Sequence, residues 1–206
     1  NSEISSGECT WEALSNQIDS GFGIEFDIYP TYGKRGFAVC HDSSLNRLSN
    51  GQLNLRIGDI HREKISSINI TGGRLCELEE LLNYISERQS GISALHLKHH
   101  CQSKELLQLL VDYIKPHIDR LEKHLIIFDV IPSTSFFLKN KLPQLSLAAS
   151  VSHPFDIERY GAITGSTLLM SEEVLRHRDY YAWVWLDEWD RIGPDGKEKT
   201  FVCKDI

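Results

Sequence analysis

Apolar and amphipathic runs alternate along the 206-residue chain, and their periods predict its elements. Trp11, Leu14 and Ile18 recur at helical spacing behind Thr10, which predicts a capped helix over Trp11–Asp19, ended by Gly21 and Gly23. Ile24–Tyr29 reads as a strand, and Gly36–Cys40 as a second after the turn YGKRG. Leu78, Leu81, Leu82 and Ile85 place a helix over Glu77–Arg88. Ile92–Leu97 predicts a strand. Ser103 then caps a helix with Leu106, Leu107, Leu110, Val111 and Ile114 in register. LIIFDV, Leu125–Val130, is a continuous apolar run of the kind covered on both faces in a parallel sheet. A short helix over Ser133–Lys139 follows, then strands at Leu145–Val151, Leu168–Met170 and Ala182–Leu186.

Strand–helix alternation repeated this often predicts an α/β fold with a parallel sheet, either a barrel or a doubly wound sheet. In both, polar residues at the C-terminal ends of strands are where chemistry is built. A composition of 41% hydrophobic and 25% charged residues supports one sizeable core, so residues 1–206 are expected to form a single domain. The net charge of −7 argues against a nucleic-acid surface, while leaving room for an anionic substrate at a locally positive pocket. No apolar run reaches the roughly 18 residues of a membrane span, and no signal peptide is visible. Cys9, Cys40, Cys76, Cys101 and Cys203 lack CxxC spacing, so they read as reduced thiols of a cytoplasmic protein. The chain begins on Asn and ends on FVCKDI, which reads as a piece of a longer one.

Four candidate groups share the strand-end position. Glu25 and Asp27 lie at i and i+2, so they face one side of a strand. Two acids there need solvent, a hydrogen-bond network or a hard divalent cation. The plainer alternative is an edge strand whose acids face water. His41-Asp42 ends the second apolar run and suits acid/base work, although an isolated histidine is often just a satisfied core or surface group. His96 and Lys98 end the next strand on one face, and an inward lysine there can stabilise an anion. The following His99, His100 and Cys101 are contiguous and point apart on an extended chain, which disfavours metal ligation. Late in the chain, WVWLDEWD brings Trp183, Trp185 and Trp189 near Asp187 and Glu188, a pattern for a polyol-binding wall or simply for core tryptophans with solvated acids.

An ExD strand, a short hairpin, then HDxxLxR and a glycine closely resemble the glycerophosphodiester phosphodiesterase family, within the phosphatidylinositol-phospholipase-C-like phosphodiesterases. The residues here are Glu25, Asp27, His41, Asp42, Leu45, Arg47 and Gly51. ECTWEAL, Glu8–Leu14, is similar to that family's Glu-Asn-Thr segment, with Cys9 where Asn is usual. LHLK, Leu95–Lys98, is similar to its Glu-x-Lys strand end, with His96 in place of Glu. The resemblance is specific over about residues 8–51, fair to Lys98 and diffuse beyond, where the Trp-rich strand fits the family's late strand.

The resemblance implies a TIM-type (β/α) barrel and metal-dependent hydrolysis of a small glycerophosphodiester to glycerol phosphate and an alcohol, in lipid and glycerol metabolism. Carried over residue by residue, Glu25 and Asp27 would ligate Mg²⁺ or Ca²⁺ with His96 in the third ligand position. His41 would be one of two acid/base histidines, and Lys98 would neutralise phosphoryl charge. Apart from the resemblance, the aromatic and acidic pattern of the late run makes Trp185, Asp187 and Glu188 the substrate-contact candidates. The chemistry fits, since a phosphodiester needs a cation on its nonbridging oxygens and a proton for the leaving alkoxide. Two departures stand out. The family's first catalytic histidine belongs to a His-Arg pair on strand one, and no such pair lies between Asn1 and Glu8. A (β/α)₈ barrel takes about 250 residues, so 206 fits one lacking its first strand and its last strand and helix, and these residues alone are expected to turn over poorly. The second departure is His96, because neutral imidazole suits transition metals better than Mg²⁺ or Ca²⁺. A catalytically silent binding domain on the same barrel, or an unrelated sugar-binding or isomerase barrel, are the competing functions.

Overall fold

The computed structural model describes residues 7–151, 167–171 and 182–185, with side chains up to Ala149. Helix α1, Trp11–Asp19, starts where Thr10 Oγ1 accepts a hydrogen bond from the Ala13 amide. Strand β1, Glu25–Pro30, turns back into β2, Phe37–Val39, which runs antiparallel to it. Residues 40–75 are mostly irregular. They carry the short hairpin β3, Asn69–Ile70, and β4, Gly73–Arg74, ahead of β5, Cys76–Glu77, which pairs with β2. Helix α2, Leu78–Arg88, is capped by Glu77, whose carboxylate accepts from the Glu80 amide. Strand β6, Ser93–His96, leads to α3, Lys104–Ile114, capped by Ser103, and the short α4, Ile118–Leu121. Strand β7, Leu125–Phe128, is followed by α5, Pro132–Lys141, then β8, Ser146–Val151, β9, Thr167–Ser171, and β10, Ala182–Trp185.

The predicted elements recur with ends shifted by at most two residues, as hydrogen-bond-defined ends commonly are. Helix α5 starts at Pro132, a residue whose missing N–H costs nothing in the first turn. The elements between residues 43 and 76 have no counterpart in the sequence reading, because two-residue strands and single 3₁₀ turns are too short to show a period.

The sheet runs β10-β9-β8-β7-β6-β1-β2-β5. β1 and β6 to β10 are parallel, and from β6 onward each new strand adds to the same growing edge. A doubly wound sheet reverses its order at a switch point, whereas strictly sequential addition is the winding of a (β/α) barrel. The fold is thus of the TIM-barrel type, and its described parallel part is open, spanning six strands. The antiparallel excursion through β2 and β5 is the departure from a purely parallel sheet.

Strand parity then sorts the side chains. Phe26, Ile28, Leu95, Ile127 and Leu147 face the helices and join Leu81, Ile85, Leu106 and Leu110 in the main core. The alternate positions, Glu25 and Asp27 on β1, Ala94 and His96 on β6, Ile126 and Phe128 on β7, belong to the opposite face. Gly23 lets the chain enter β1, because a Cβ there would lie 1.8 Å from the Ile92 carbonyl oxygen. A second core of Ala38, Cys40, Leu45, Ile57, Ile65 and Leu75 folds the irregular segment against β2.

Leu95→Ala, at a fully buried core position, should cost about 2–5 kcal/mol in urea unfolding. Ile92→Ala, three residues earlier, just ahead of β6 and 52% exposed, should cost under about 1 kcal/mol. Equal losses at the two positions would contradict this assignment of faces.

Candidate active site

Register brings the polar inner-face residues together. Asp27 of β1 pairs with His96 of β6, and His96 with Phe128 of β7, so the three lie side by side in one row. Glu25 sits one row earlier, opposite Ala94. Asp27 Oδ1 lies 2.9 Å from His96 Nδ1 and 3.1 Å from Lys98 Nζ. Neither contact is aligned as a hydrogen bond, so this buried carboxylate oxygen has charge neighbours without a directed donor. His96 stacks on Phe128 with ring centroids 4.7 Å apart and planes 10° off parallel. Its Nε2 lies 3.3 Å from Asp129 Oδ2.

The charges follow from this packing. Burial alone would raise the Asp27 carboxyl, but the adjacent His96 and Lys98 outweigh it and hold it below the ordinary range. Burial would likewise lower His96, yet Asp129 and Asp27 on its two nitrogens push it up to about 9. Glu25 is raised, first by burial and then by the Asp27 charge beside it. One ligand atom from each of Glu25, Asp27 and His96 falls within 4.8 Å of the others, a grouping that one cation could bridge. The donor set fits a divalent ion, with two carboxylates to supply charge and an imidazole nitrogen beside them.

Lys98 ties the second half of the site to the first. Its Nζ donates to the His41 carbonyl at 2.9 Å while contacting Asp27. The His41 ring is exposed at the end of β2, and its Nδ1 sits 2.8 Å from Asp42 Oδ1. Asp42 Oδ2 accepts from Arg47 Nε at 2.6 Å, and the same guanidinium grips both oxygens of Glu8, at 2.6 and 2.8 Å. Hydrogen bonds from Arg47, with His41 adding to them at Asp42, hold the Asp42 and Glu8 carboxyls low. A cleft of about 470 Å³ opens here, lined by Glu8, Cys9, Glu25, Asp27 and His41 among others. The Cys9 thiol contacts that of Cys40, which lowers the former and raises the latter.

Other sequence candidates fall elsewhere. His99, His100 and Cys101 form one 3₁₀ turn, with His100 packed on Tyr29 and the Cys101 thiol donating to the Ile28 carbonyl; they join no ligand cluster among the described residues. Trp185 is the last residue of β10, while Asp187 and Glu188 lie outside the described residues. Among those missed by the sequence reading, Asp129 stands at the end of β7 in a left-handed conformation, φ 63°. The strand-end logic applied to the other groups would have found it in LIIFDV. The ion pair of Glu8 with Arg47 spans 39 positions and carried no local signal.

No protein-family model and no curated protein matches the chain. Solved structures do match. One is a glycerophosphodiester phosphodiesterase from Parabacteroides distasonis, 17% identical over 87% of this chain and 73% of its own, with a TM-score of 0.62. Another is an Oleispira antarctica phosphodiesterase in complex with the product sn-glycerol-3-phosphate, 17% identical over 89% of both chains, with a TM-score of 0.60. The chain has the fold of glycerophosphodiester phosphodiesterases. At this identity the similarity extends to the backbone, and the roles of individual side chains rest on the local geometry.

The network of Glu8, Arg47 and Asp42 carries a pH signature. Both acids have folded values below their unfolded ones, so their contribution is present above an unfolded carboxyl value of about 4 and fades as pH falls through the folded values. Arg47 is 54% exposed, which limits the gain to about 1 kcal/mol. Arg47→Ala should therefore lower stability by up to about that amount at pH 7 and by much less at pH 3. An equal loss at both values, read by denaturant titration, would contradict an ionic origin.

Proposed function

We propose that this chain, read as one barrel domain over residues 1–206, hydrolyses a glycerophosphodiester to glycerol phosphate and an alcohol. The observation that carries the reading is the convergence of Asp27, His96, Lys98 and His41 at one end of the parallel sheet, on the fold these phosphodiesterases use. Glu25, Asp27 and His96 are the residues that would hold a divalent cation. Such an ion, when bound, draws charge from the nonbridging oxygens of the phosphodiester.

The remaining roles belong to the chain itself. Lys98, held between Asp27 and the His41 carbonyl, presents a fixed ammonium to a phosphoryl group at the strand ends. Asp42 accepts a hydrogen bond from the Nδ1–H of His41, which leaves Nε2 to exchange a proton with the nucleophile or the leaving alkoxide. Arg47 keeps Asp42 ionised and aimed at that ring. Trp185, Asp187 and Glu188 would form a wall for the alcohol portion. Free thiols at Cys9, Cys40, Cys76 and Cys101 favour a reducing, cytoplasmic setting, and no helix among the described residues is long and apolar enough to cross a membrane.

A silent binding domain is favoured over the enzyme by one feature, the imidazole of His96 where the family carries an acid. The two readings separate by assay. Release of glycerol phosphate from glycerophosphocholine or glycerophosphoethanolamine, followed by phosphorus NMR with added divalent ions, is the expected result. His41→Gln should lower kcat about 10²–10⁴-fold, and Lys98→Ala about 10²–10³-fold, with unchanged folding by circular dichroism. Saturable binding of these esters without any release would establish the silent domain instead.

A further inference from the structure

The ring of His96 is immobilised more thoroughly than an ion pair with Asp27 requires. Phe128 fixes its plane by stacking. Asp129 holds its Nε2 edge at 3.3 Å. Asp129 reaches that nitrogen from a left-handed backbone, φ 63°, a conformation few non-glycine residues adopt and Asp tolerates better than most. A side-chain clamp maintains it: Gln102 Nε2 donates to the Asp129 carbonyl at 2.8 Å and to the Leu97 carbonyl at 2.7 Å, while its Oε1 accepts from the Ile131 amide at 3.2 Å. The strand ends of β6 and β7 are stapled together by one amide. Asp129 keeps a proton on Nε2, and Nδ1, which faces Asp27, releases its proton when an ion binds there. This is the arrangement by which an outer carboxylate orients a metal-ligating histidine.

We propose that the cation site is tuned to a divalent first-row transition ion of the Co²⁺ to Zn²⁺ range in preference to Mg²⁺ or Ca²⁺, with Glu25, Asp27 and His96 Nδ1 as ligands and Asp129 as the outer carboxylate that sets the ring. The inference rests on the metal-dependent reading above and names the class of ion for it. Imidazole nitrogen is a poor partner for the hard Mg²⁺ and Ca²⁺ and a good one for these softer ions, while two carboxylates keep the site anionic. Buried Asp27 Oδ1, which no donor meets in alignment, is the oxygen nearest Nδ1 and the natural shared pole of the site. When an ion takes that oxygen, Lys98 retains its second anchor at the His41 carbonyl.

The test is metal binding by the stripped 206-residue protein, followed by calorimetry with Co²⁺, Zn²⁺, Mg²⁺ and Ca²⁺ and by the visible spectrum of the Co²⁺ form. Most donor sets favour Co²⁺ over Mg²⁺ to some degree, so the variants decide. Wild type should bind Co²⁺ and Zn²⁺ at least about 100-fold more tightly than Mg²⁺. His96→Glu should narrow that ratio by about tenfold or more and shift the Co²⁺ spectrum through loss of its nitrogen ligand. Asp129→Asn should weaken Co²⁺ about 10–100-fold and leave Mg²⁺ nearly unchanged. A wild type that binds Mg²⁺ or Ca²⁺ as tightly as Co²⁺, or binds no ion, overturns the proposal. So does a selectivity and Co²⁺ spectrum indifferent to His96→Glu. Ester hydrolysis is measured separately. Co²⁺ bound through His96 without turnover would defeat the phosphodiesterase reading and leave this one standing, whereas turnover supported by Mg²⁺ with no Co²⁺ preference would do the reverse.

Discussion

The Asp27 carboxylate, buried on the inner face of a parallel sheet, must be offset by positive charge, and the rest of the site is arranged around that requirement. Both faces of such a sheet are ordinarily apolar, and an unpaired buried carboxylate costs several kcal/mol. Here the compensation is local to the strand ends. Register sets His96 beside Asp27, and the chain then brings Lys98 back to the same oxygen. The main core on the other face takes no part in this compensation, since Phe26, Ile28, Leu95, Ile127 and Leu147 carry no charge. Removing either positive group would leave Asp27 with less opposing charge, while the other stays beside the same oxygen.

The second half of the site depends on a different constraint. His41 is exposed at the end of a three-residue strand and has no rigid element under it. The small core around Leu45, Ile57, Ile65 and Leu75 supplies the missing support by packing the irregular segment that follows. From that segment Arg47 reaches both Asp42, beside His41, and Glu8, ahead of α1. A chain of charge-assisted bonds thus runs from the start of the chain to the histidine ring. Lys98 closes the loop by binding the His41 carbonyl, which joins the exposed histidine to the charge cluster around Asp27.

Asp129 and Gln102 show how the outer residues matter to the inner ones. Neither faces the cleft as a nucleophile or a proton carrier. Gln102 uses both ends of its amide to hold the β6 and β7 ends together, and Asp129 uses that hold to fix the imidazole. A glutamate at position 96 would need no such orientation, because a carboxylate presents equivalent oxygens on rotation. The added apparatus is therefore consistent with a ligand whose two nitrogens must be told apart.

Much of this was legible in the chain. Periods of two and 3.6 are properties of single segments, so the parallel strands, the three main helices and the shared face of Glu25 with Asp27 could be read from spacing alone. The HDxxLxR run and the ExD pair also carried the family likeness, because catalytic constellations are written in short local motifs. Only the tertiary structure decided the winding, since pattern alone left barrel and doubly wound sheet open and the sequential strand order chose between them. It also decided every partnership across distance: Asp27 with His96, His96 with Asp129, Glu8 with Arg47. Register and loop packing set those pairs, and both are products of many side chains acting at once, which no window of sequence contains.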